Sequence, residues 1–185
     1  MRIDQLKKNY DIHIRWVAFP LHPETPEDGM TLEELFAGKP IDIKKAMTRL
    51  KRVADELGLP LGERIKTYNS RLAQELAIWA ESEGKGDPFH GAVFRAYFVD
   101  GKNIGRVDEL VILAKSVGLP EKKARSVLEL RTFREAVDSD WERSHALGIT
   151  GVPTFVADHK ATVGFQSYEE LERFLKSFGI RKRNP

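Results

Sequence analysis

Apolar side chains follow two different spacings along this chain. Residues 12–19 alternate between apolar and polar positions and stop at Pro20, which predicts a β-strand. From residue 31 to residue 147 the apolar positions recur every three or four residues, which predicts helices throughout. The pattern of a strand returns over residues 152–157 and 161–163. One face of the first predicted strand carries the apolar residues Ile12, Ile14, Trp16 and Ala18, and we expect Trp16, like Trp79 in the helical stretch, to lie in the core.

Capping signals divide the chain further into elements. Residues 2–9 have the spacing of a short helix, and a final helix is predicted after Ser167. Capping boxes are predicted where Thr31 precedes Glu34 and where Ser167 precedes Glu170. Gly-Leu-Pro at residues 58–60 and again at 118–120 predicts two helix ends, and Asp87 before a proline predicts a helix start. Asp138 and Asp140 are interpreted as charges on a helix surface.

The order of these elements defines the fold class. A helix end, a strand, a long helical stretch, a hairpin and a helix indicate an α/β protein with a mixed sheet. Residues 1–30 and 148–185 would form the α/β domain, and residues 31–147 would form an all-helical insertion domain.

Composition excludes several classes of function. The chain has 185 residues, a net charge of +2 and no cysteine. Thiolate chemistry and cysteine-ligated metals are therefore excluded for these residues, and the weak charge argues against binding to nucleic acid. The apolar runs are too short for a membrane span, and the first residues lack the apolar stretch of a secretory signal, so we expect a cytoplasmic protein without a membrane partner. The five histidines show no metal-ligand spacing, and no metal site is predicted.

The most informative local motif is Gly151-Val152-Pro153-Thr154. A proline at the start of a strand cannot donate to the ladder, so it lies at an edge, a bulge or a tight turn. Composition alone leaves open whether the bond before Pro153 is cis or an ordinary trans bond. His22, beside Glu24 in a proline-rich loop, is a weaker candidate for a functional side chain.

Several segments together resemble one known family. They are Gly-Ile-Thr-Gly-Val-Pro-Thr-Phe-Val at residues 148–156, Gly-Phe-Gln-Ser at 164–167, Arg-Trp-Val-Ala-Phe-Pro-Leu at 15–21, Tyr-Asn-Ser-Arg-Leu-Ala at 68–73 and Phe-Arg-Ala-Tyr-Phe at 94–98. In this order they are similar to DsbA-like thioredoxin-fold oxidoreductases, and in particular to the FrnE-type branch with a helical insertion. The resemblance covers almost the whole chain and implies an incomplete thioredoxin-like fold.

This resemblance also implies a substrate site. It implies a cis bond before Pro153, and a backbone at Val152 that pairs with an extended polypeptide or holds a small thiol. The predicted substrate-binding residues are therefore Gly151, Val152, Pro153 and Thr154. No metal or resident cofactor is expected. The related branch of glutathione-transferase-kappa and hydroxychromene-carboxylate isomerase is the alternative, and glutathione would be its cofactor. A non-enzymatic peptide-binding module is the second alternative.

The chain departs from the family at its start. The family begins with a strand and a Cys-x-x-Cys helix, whereas this sequence begins inside that helix, so no catalytic residue is assigned. Three explanations remain open: a start that lies further upstream, a redox-inactive paralogue, or a different function on the same fold. Because the missing strand would be central, we expect a sheet that is remodelled, split, or completed by another chain, including a second copy.

Overall fold

The computed structural model describes residues 2–183, which form two compact units. The first unit contains the chain up to Leu21 and again from Asp140 onward, and the second unit contains His22–Ser139. The residues of each unit mainly contact other residues of the same unit. The insertion domain expected over residues 31–147 overlaps most of the second unit, and its bounds stay a prediction.

The described residues contain nine helices and four short strands. The helices are α1 (Arg2–Asn9), α2 (Leu32–Leu35), α3 (Ile43–Glu56), α4 (Arg71–Ser82), α5 (Gly86–Phe98), α6 (Val107–Ser116), α7 (Glu121–Glu129), α8 (Arg134–Ala146) and α9 (Tyr168–Lys176). The strands are β1 (Met30–Thr31), β2 (Lys66–Thr67), β3 (Thr154–Ala157) and β4 (Lys160–Val163). None of the helices between residues 2 and 183 is both long and apolar enough to cross a membrane.

The mixed sheet predicted from the sequence is not formed by the described residues, and the stretch 31–147, predicted to be helical throughout, contains the short strand β2. Within the described part of the chain, β1 pairs antiparallel with β2, and β3 pairs antiparallel with β4, as two separate two-stranded sheets. The strand predicted over residues 12–19 is wrong, because this stretch joins no ladder. A strand requires a hydrogen-bonded neighbour as well as an alternating pattern. Trp16, expected in the core, is 40% exposed for the same reason.

The second unit contains the larger core. Helices α4 to α7 bury a continuous cluster that includes Leu76, Trp79, Phe89 and Leu110, and Trp79 is only 2% exposed, as predicted. The stripe of apolar residues on α4 packs against α5, α6 and α7. The apolar spacing of three and four residues is therefore what holds this unit together.

Two capping boxes are confirmed, and one predicted helix start is wrong. Thr31 with Glu34 and Ser167 with Glu170 each form both reciprocal hydrogen bonds. α5 begins at Gly86, one residue before the predicted cap Asp87, whose carboxylate lies instead in the first turn of the helix. An acidic group there still interacts favourably with the helix dipole.

The first unit has a small core at which the two ends of the described chain meet. Leu6 and Tyr10 pack against Leu171 of α9. Tyr10 forms an isolated antiparallel bridge with Lys182, and the Arg183 N–H donates to the Asn9 carbonyl at 2.8 Å. The unit is thus closed by backbone bonds between residues that are distant in sequence.

The carboxylate of Glu172 forms ion pairs with two lysines of the first unit. It lies 2.7 Å from Lys176 Nζ and 2.7 Å from Lys182 Nζ. The hydrogen bond from Lys176, followed by the proximity of Lys182 and Tyr10, lowers the pKa of Glu172 to about 2. Burial and the neighbouring Glu172 raise the pKa of Tyr10.

Candidate substrate-binding site

The β3–β4 hairpin positions the motif that the sequence singled out. Its register places Thr154 opposite Val163 and Ala157 opposite Lys160, so two residues form the turn. Asp158, the first turn residue, has a φ of 51°, a left-handed conformation that Asp tolerates better than most residues. The predicted hairpin is therefore present, with β4 beginning at Lys160, one residue earlier than expected.

The four predicted site residues form the approach to β3. The bond between Val152 and Pro153 is cis. Thr154 Oγ1 donates to the Gly151 carbonyl at 2.7 Å, which closes a local turn around this bond. Val152 is 48% exposed and Pro153 is exposed, whereas Gly151 and Thr154 are half-buried. The structure brings the four residues together at the start of one strand, and their role in binding substrate stays a prediction.

One edge of β3 is open among the described residues. Gly164 N–H donates to the Pro153 carbonyl at 2.7 Å, so Pro153 faces β4. Backbone groups alternate in direction along an antiparallel ladder, which directs those of Phe155 and Ala157 toward β4 as well. The N–H and C=O groups of Thr154 and Val156 therefore point away from β4. An extended chain could pair with these groups.

Asp140 holds the extended segment that runs over residues 12–19. Its carboxylate accepts from Arg15 Nη2 at 2.7 Å and from the Ala18 N–H at 3.0 Å. Asp140 is only 3% exposed, so its interpretation as a surface charge is wrong. Ser144, four residues further along α8, is also buried, and this spacing is the signal that could have placed Asp140 on a buried face.

Asp138 fits its interpretation as a surface charge better. Its side chain is half-exposed, although it pairs with Arg71 Nη1 at 2.7 Å. Hydrogen bonding to Arg71 lowers the pKa of Asp138.

Sequence reasoning missed a buried carboxylate in the second unit. Glu75 is fully buried and accepts from Arg71 Nε at 2.7 Å and from Arg131 Nη2 at 2.6 Å and Nε at 2.8 Å. Burial alone would raise the pKa of Glu75, but the hydrogen bonds and charges of Arg131 and Arg71 outweigh it, and the pKa is lowered. Leu76, the next residue, and Ala73, two residues earlier, are core residues. The sequence therefore allowed a buried position for Glu75 on the same helix.

Two asparagines hold the proline-rich loop over residues 22–29. Asn69 Nδ2 donates to the carbonyls of Pro23 at 3.1 Å and Thr25 at 2.8 Å. Asn103 Nδ2 donates to the Glu27 carbonyl at 2.9 Å. These bonds give three carbonyl groups of the loop a hydrogen-bond partner, as regular secondary structure would do.

His22, at the start of that loop, has an electropositive environment. Burial lowers its pKa, and the charges of Lys39 and Arg64 lower it further. Both effects favour the neutral form of the imidazole. No group of His, Asp or Glu side chains between residues 2 and 183 is arranged to hold a metal ion.

Comparison with known sequences identifies a relative that matches most of this chain. YwbO of Bacillus subtilis (strain 168), described as an uncharacterized protein, is 27% identical over 174 residues, which cover 91% of this chain and 83% of YwbO.

Solved structures share the fold at low sequence identity. A probable DsbA oxidoreductase, SCO1869 from Streptomyces coelicolor, has a TM-score of 0.85 at 23% identity and covers 100% of this chain and 84% of its own. A 2-hydroxychromene-2-carboxylate isomerase has a TM-score of 0.71 at 20% identity, over 96% of this chain and 85% of its own. The cytosolic disulfide reductase DsbM from Pseudomonas aeruginosa, with GSH, has a TM-score of 0.56 at 21% identity, over 72% and 74%.

These likenesses show the fold, and a family model shows the family to which the chain belongs. The model of the DSBA-like thioredoxin domain matches residues 1–176, which include α1, the helical unit, the hairpin and α9. The α/β class and the helical insertion in the chain order agree with this match. The chain belongs to the family of DSBA-like thioredoxin domains.

Proposed function

We propose that this chain serves thiol–disulfide exchange of the DsbA type, in the FrnE-type branch, by binding an extended polypeptide at the start of β3. The exposure of Val152, just before β3, is the observation that carries the proposal. The four residues of β3 are uncharged, so nothing in the strand itself repels a pairing chain.

Backbone pairing suits a substrate of variable sequence. Main-chain hydrogen bonds from Val152, the residue before Pro153, would provide affinity without reading side chains. The exposed side chains of Val152 and Val156 add apolar contacts along the same stretch. None of the 185 residues is a cysteine, so these residues contribute the binding surface, and the exchanging sulfurs come from outside them.

Peptide binding tests the proposal directly. We would measure fluorescence anisotropy of a labelled extended peptide that contains one intramolecular disulfide, in its oxidised and reduced forms. Val152→Glu should weaken binding roughly tenfold, because it places a charge beside an apolar edge. Val163→Glu is the matched control, since Val163 is also exposed but lies on β4. Absence of binding by either peptide form, or equal effects of the two variants, contradicts the proposal.

The glutathione-using branch is the second candidate. The isomerase structure covers 96% of this chain, and DsbM is described with GSH, which is why this candidate is retained. Calorimetric titration with glutathione distinguishes it: binding in the micromolar range supports the isomerase or transferase function, and no heat of binding excludes it.

A peptide-binding module without enzymatic activity is the third candidate. It requires only the peptide-binding site and no cysteine among the 185 residues. Adding a small dithiol to the bound, oxidised peptide separates it from the first proposal. Reduction that is faster with the protein than without it supports thiol–disulfide exchange, and an unchanged rate supports the module. We further propose that the protein acts in the cytoplasm, with support from the description of DsbM as cytosolic.

A further inference from the structure

Helix α3, in the second unit, leaves most of its surface exposed. Only Ala54 of its fourteen residues is buried. Leu50 is 42% exposed and Leu57 is 39% exposed, although both are large and apolar. With Ala46 and Val53 they form an outer row along one face of the helix, at intervals of four, three and four residues. Rows with this spacing form the seam along which two helices pack.

Two opposite charges border the outer row on one side. Arg49 directly precedes Leu50, and Glu56 directly precedes Leu57, so both lie on the same flank of the row, two turns apart. Arg49 makes no ion pair with any residue between 2 and 183. Glu56 makes an exposed pair with Arg52 at 3.7 Å, which contributes little to stability. Both charges are therefore free to pair with a partner.

The charges of α3 run against its own dipole. Lys44 and Lys45 lie in the first turn, and Asp55 and Glu56 lie in the last turn. A helix is stabilised by the reverse order, with anions at its N-terminus and cations at its C-terminus. A second α3 that lies antiparallel to the first would bring its acidic end beside the basic end, and the two dipoles would oppose each other. The helix is thus complementary to itself in the antiparallel orientation.

We propose that α3 pairs antiparallel with α3 of a second copy of this chain, across a two-fold axis. In the register that places Leu50 opposite Val53 of the second copy, the two outer rows interlock. Arg49 then lies beside Glu56 of the second copy, and the two-fold axis repeats this ion pair. The association does not depend on the proposed function, because α3 contains none of the residues proposed to bind peptide.

One pair of helices makes a small interface. The fourteen residues of α3 span about 21 Å. Ile41 and Leu59, which are 43% and 44% exposed, extend the apolar surface beyond the two ends of the helix. Interfaces below about 1,200 Å² are typical of weak, transient complexes, so we expect a dissociation constant of roughly 10–100 µM.

Sedimentation equilibrium of the 185-residue protein, with charge reversals on α3, tests the pairing. From roughly 5 to 500 µM the mass should rise from 21.1 kDa toward twice that value. Arg49→Glu alone, or Glu56→Arg alone, should raise the dissociation constant roughly tenfold, because each places like charges side by side twice. The double variant exchanges the two charges and should restore the dimer. Lys44→Glu is the matched control, since Lys44 is exposed on the opposite side of α3, and it should leave the dimer intact.

Three results would overturn the proposal. They are a monomer at all of these concentrations, a mass that grows beyond the dimer, and a double variant that is no better than the single ones. An effect of Lys44→Glu as large as that of Arg49→Glu would also contradict it, because net charge and not pairing across the seam would then control the association.

Spin labels test the orientation without altering Arg49 or Glu56. The chain contains no cysteine, so one introduced cysteine carries a single label per copy. In the proposed register the two labels should be separated along the helix axis by about 22 Å for Lys44→Cys and by about 2 Å for Lys51→Cys. Equal separations at the two positions would indicate a parallel pair and contradict the proposal. A dimer that forms in a protein without affinity for extended peptides would leave this proposal standing and remove the proposed function.

Discussion

Neutralising Glu75 tests whether the buried carboxylate organises the helical unit. Glu75→Gln keeps the shape of the side chain but removes the charge between Arg71 and Arg131. Breaking a buried ion pair costs about 3–5 kcal/mol. The Arg131 side chain is 40% exposed and can be hydrated, which places the expected loss at the lower end, about 3 kcal/mol. For a chain of this size that is a fall in Tm of roughly 6–12 °C.

Thermal and chemical denaturation measure this loss against a matched control. Glu129→Gln is the same substitution on α7, where Glu129 makes an exposed pair with Arg125 at 3.9 Å, and it should cost about 0.5 kcal/mol or less. Because the folded-state pKa of Glu75 is lowered, its contribution is present above the ordinary pKa of a glutamate and is lost as pH falls below it. The difference between wild type and Glu75→Gln should therefore shrink in acid. Equal stability of the two variants at neutral pH would refute the reasoning.

Three further predictions concern single positions. Glu172→Gln should flatten the fall in stability of the first unit between pH 4.5 and pH 2, since the folded pKa of Glu172 is about 2. Gly62→Ala should destabilise by about 2 kcal/mol or more, because a Cβ there would overlap the Val99 carbonyl oxygen. Gly91→Ala, with open space around it, should stabilise by about 0.5–1 kcal/mol. Asn69→Ala should speed hydrogen exchange in the proline-rich loop roughly tenfold, because two donated bonds are lost.

Each of these has a contrary result. A urea midpoint of Glu172→Gln that falls with acid as steeply as that of the wild type would show that other groups control the acid response. Equal melting temperatures for the two alanine variants would show that the backbone near Val99 yields to the added methyl group. Unchanged exchange in the Asn69 variant would assign the loop's order to other contacts.

Local signals predicted the elements that depend on local contacts. Thr31 and Ser167 cap their helices because each capping box lies within four residues. Gly58 and Gly118 have positive φ values of 63° and 84°, as helix ends before Leu-Pro require. The hairpin was predictable because its turn is only two residues long.

Features that depend on distant partners were not predictable in the same way. Residues 12–19 have the alternation of a strand, yet the sequence does not show whether a neighbour is present to pair with them. Asp140 was interpreted as a surface charge and Glu75 was not singled out. Their arginine partners Arg15, Arg71 and Arg131 cannot be placed beside them from the sequence. The binding role predicted for Gly151–Thr154 comes from a resemblance, which supplies long-range information that periodicity lacks.

The bond between Arg183 and Asn9 has a consequence for protein engineering. Since the two backbones meet there at 2.8 Å, and since α1 spans about 12 Å, a linker of roughly four or five residues could join residue 183 to residue 2. New ends could be opened at the exposed turn of Gly84 and Lys85. In such a circular permutant the halves of the first unit become neighbours in sequence, so its long-range loop closure turns into a local one and folding should accelerate.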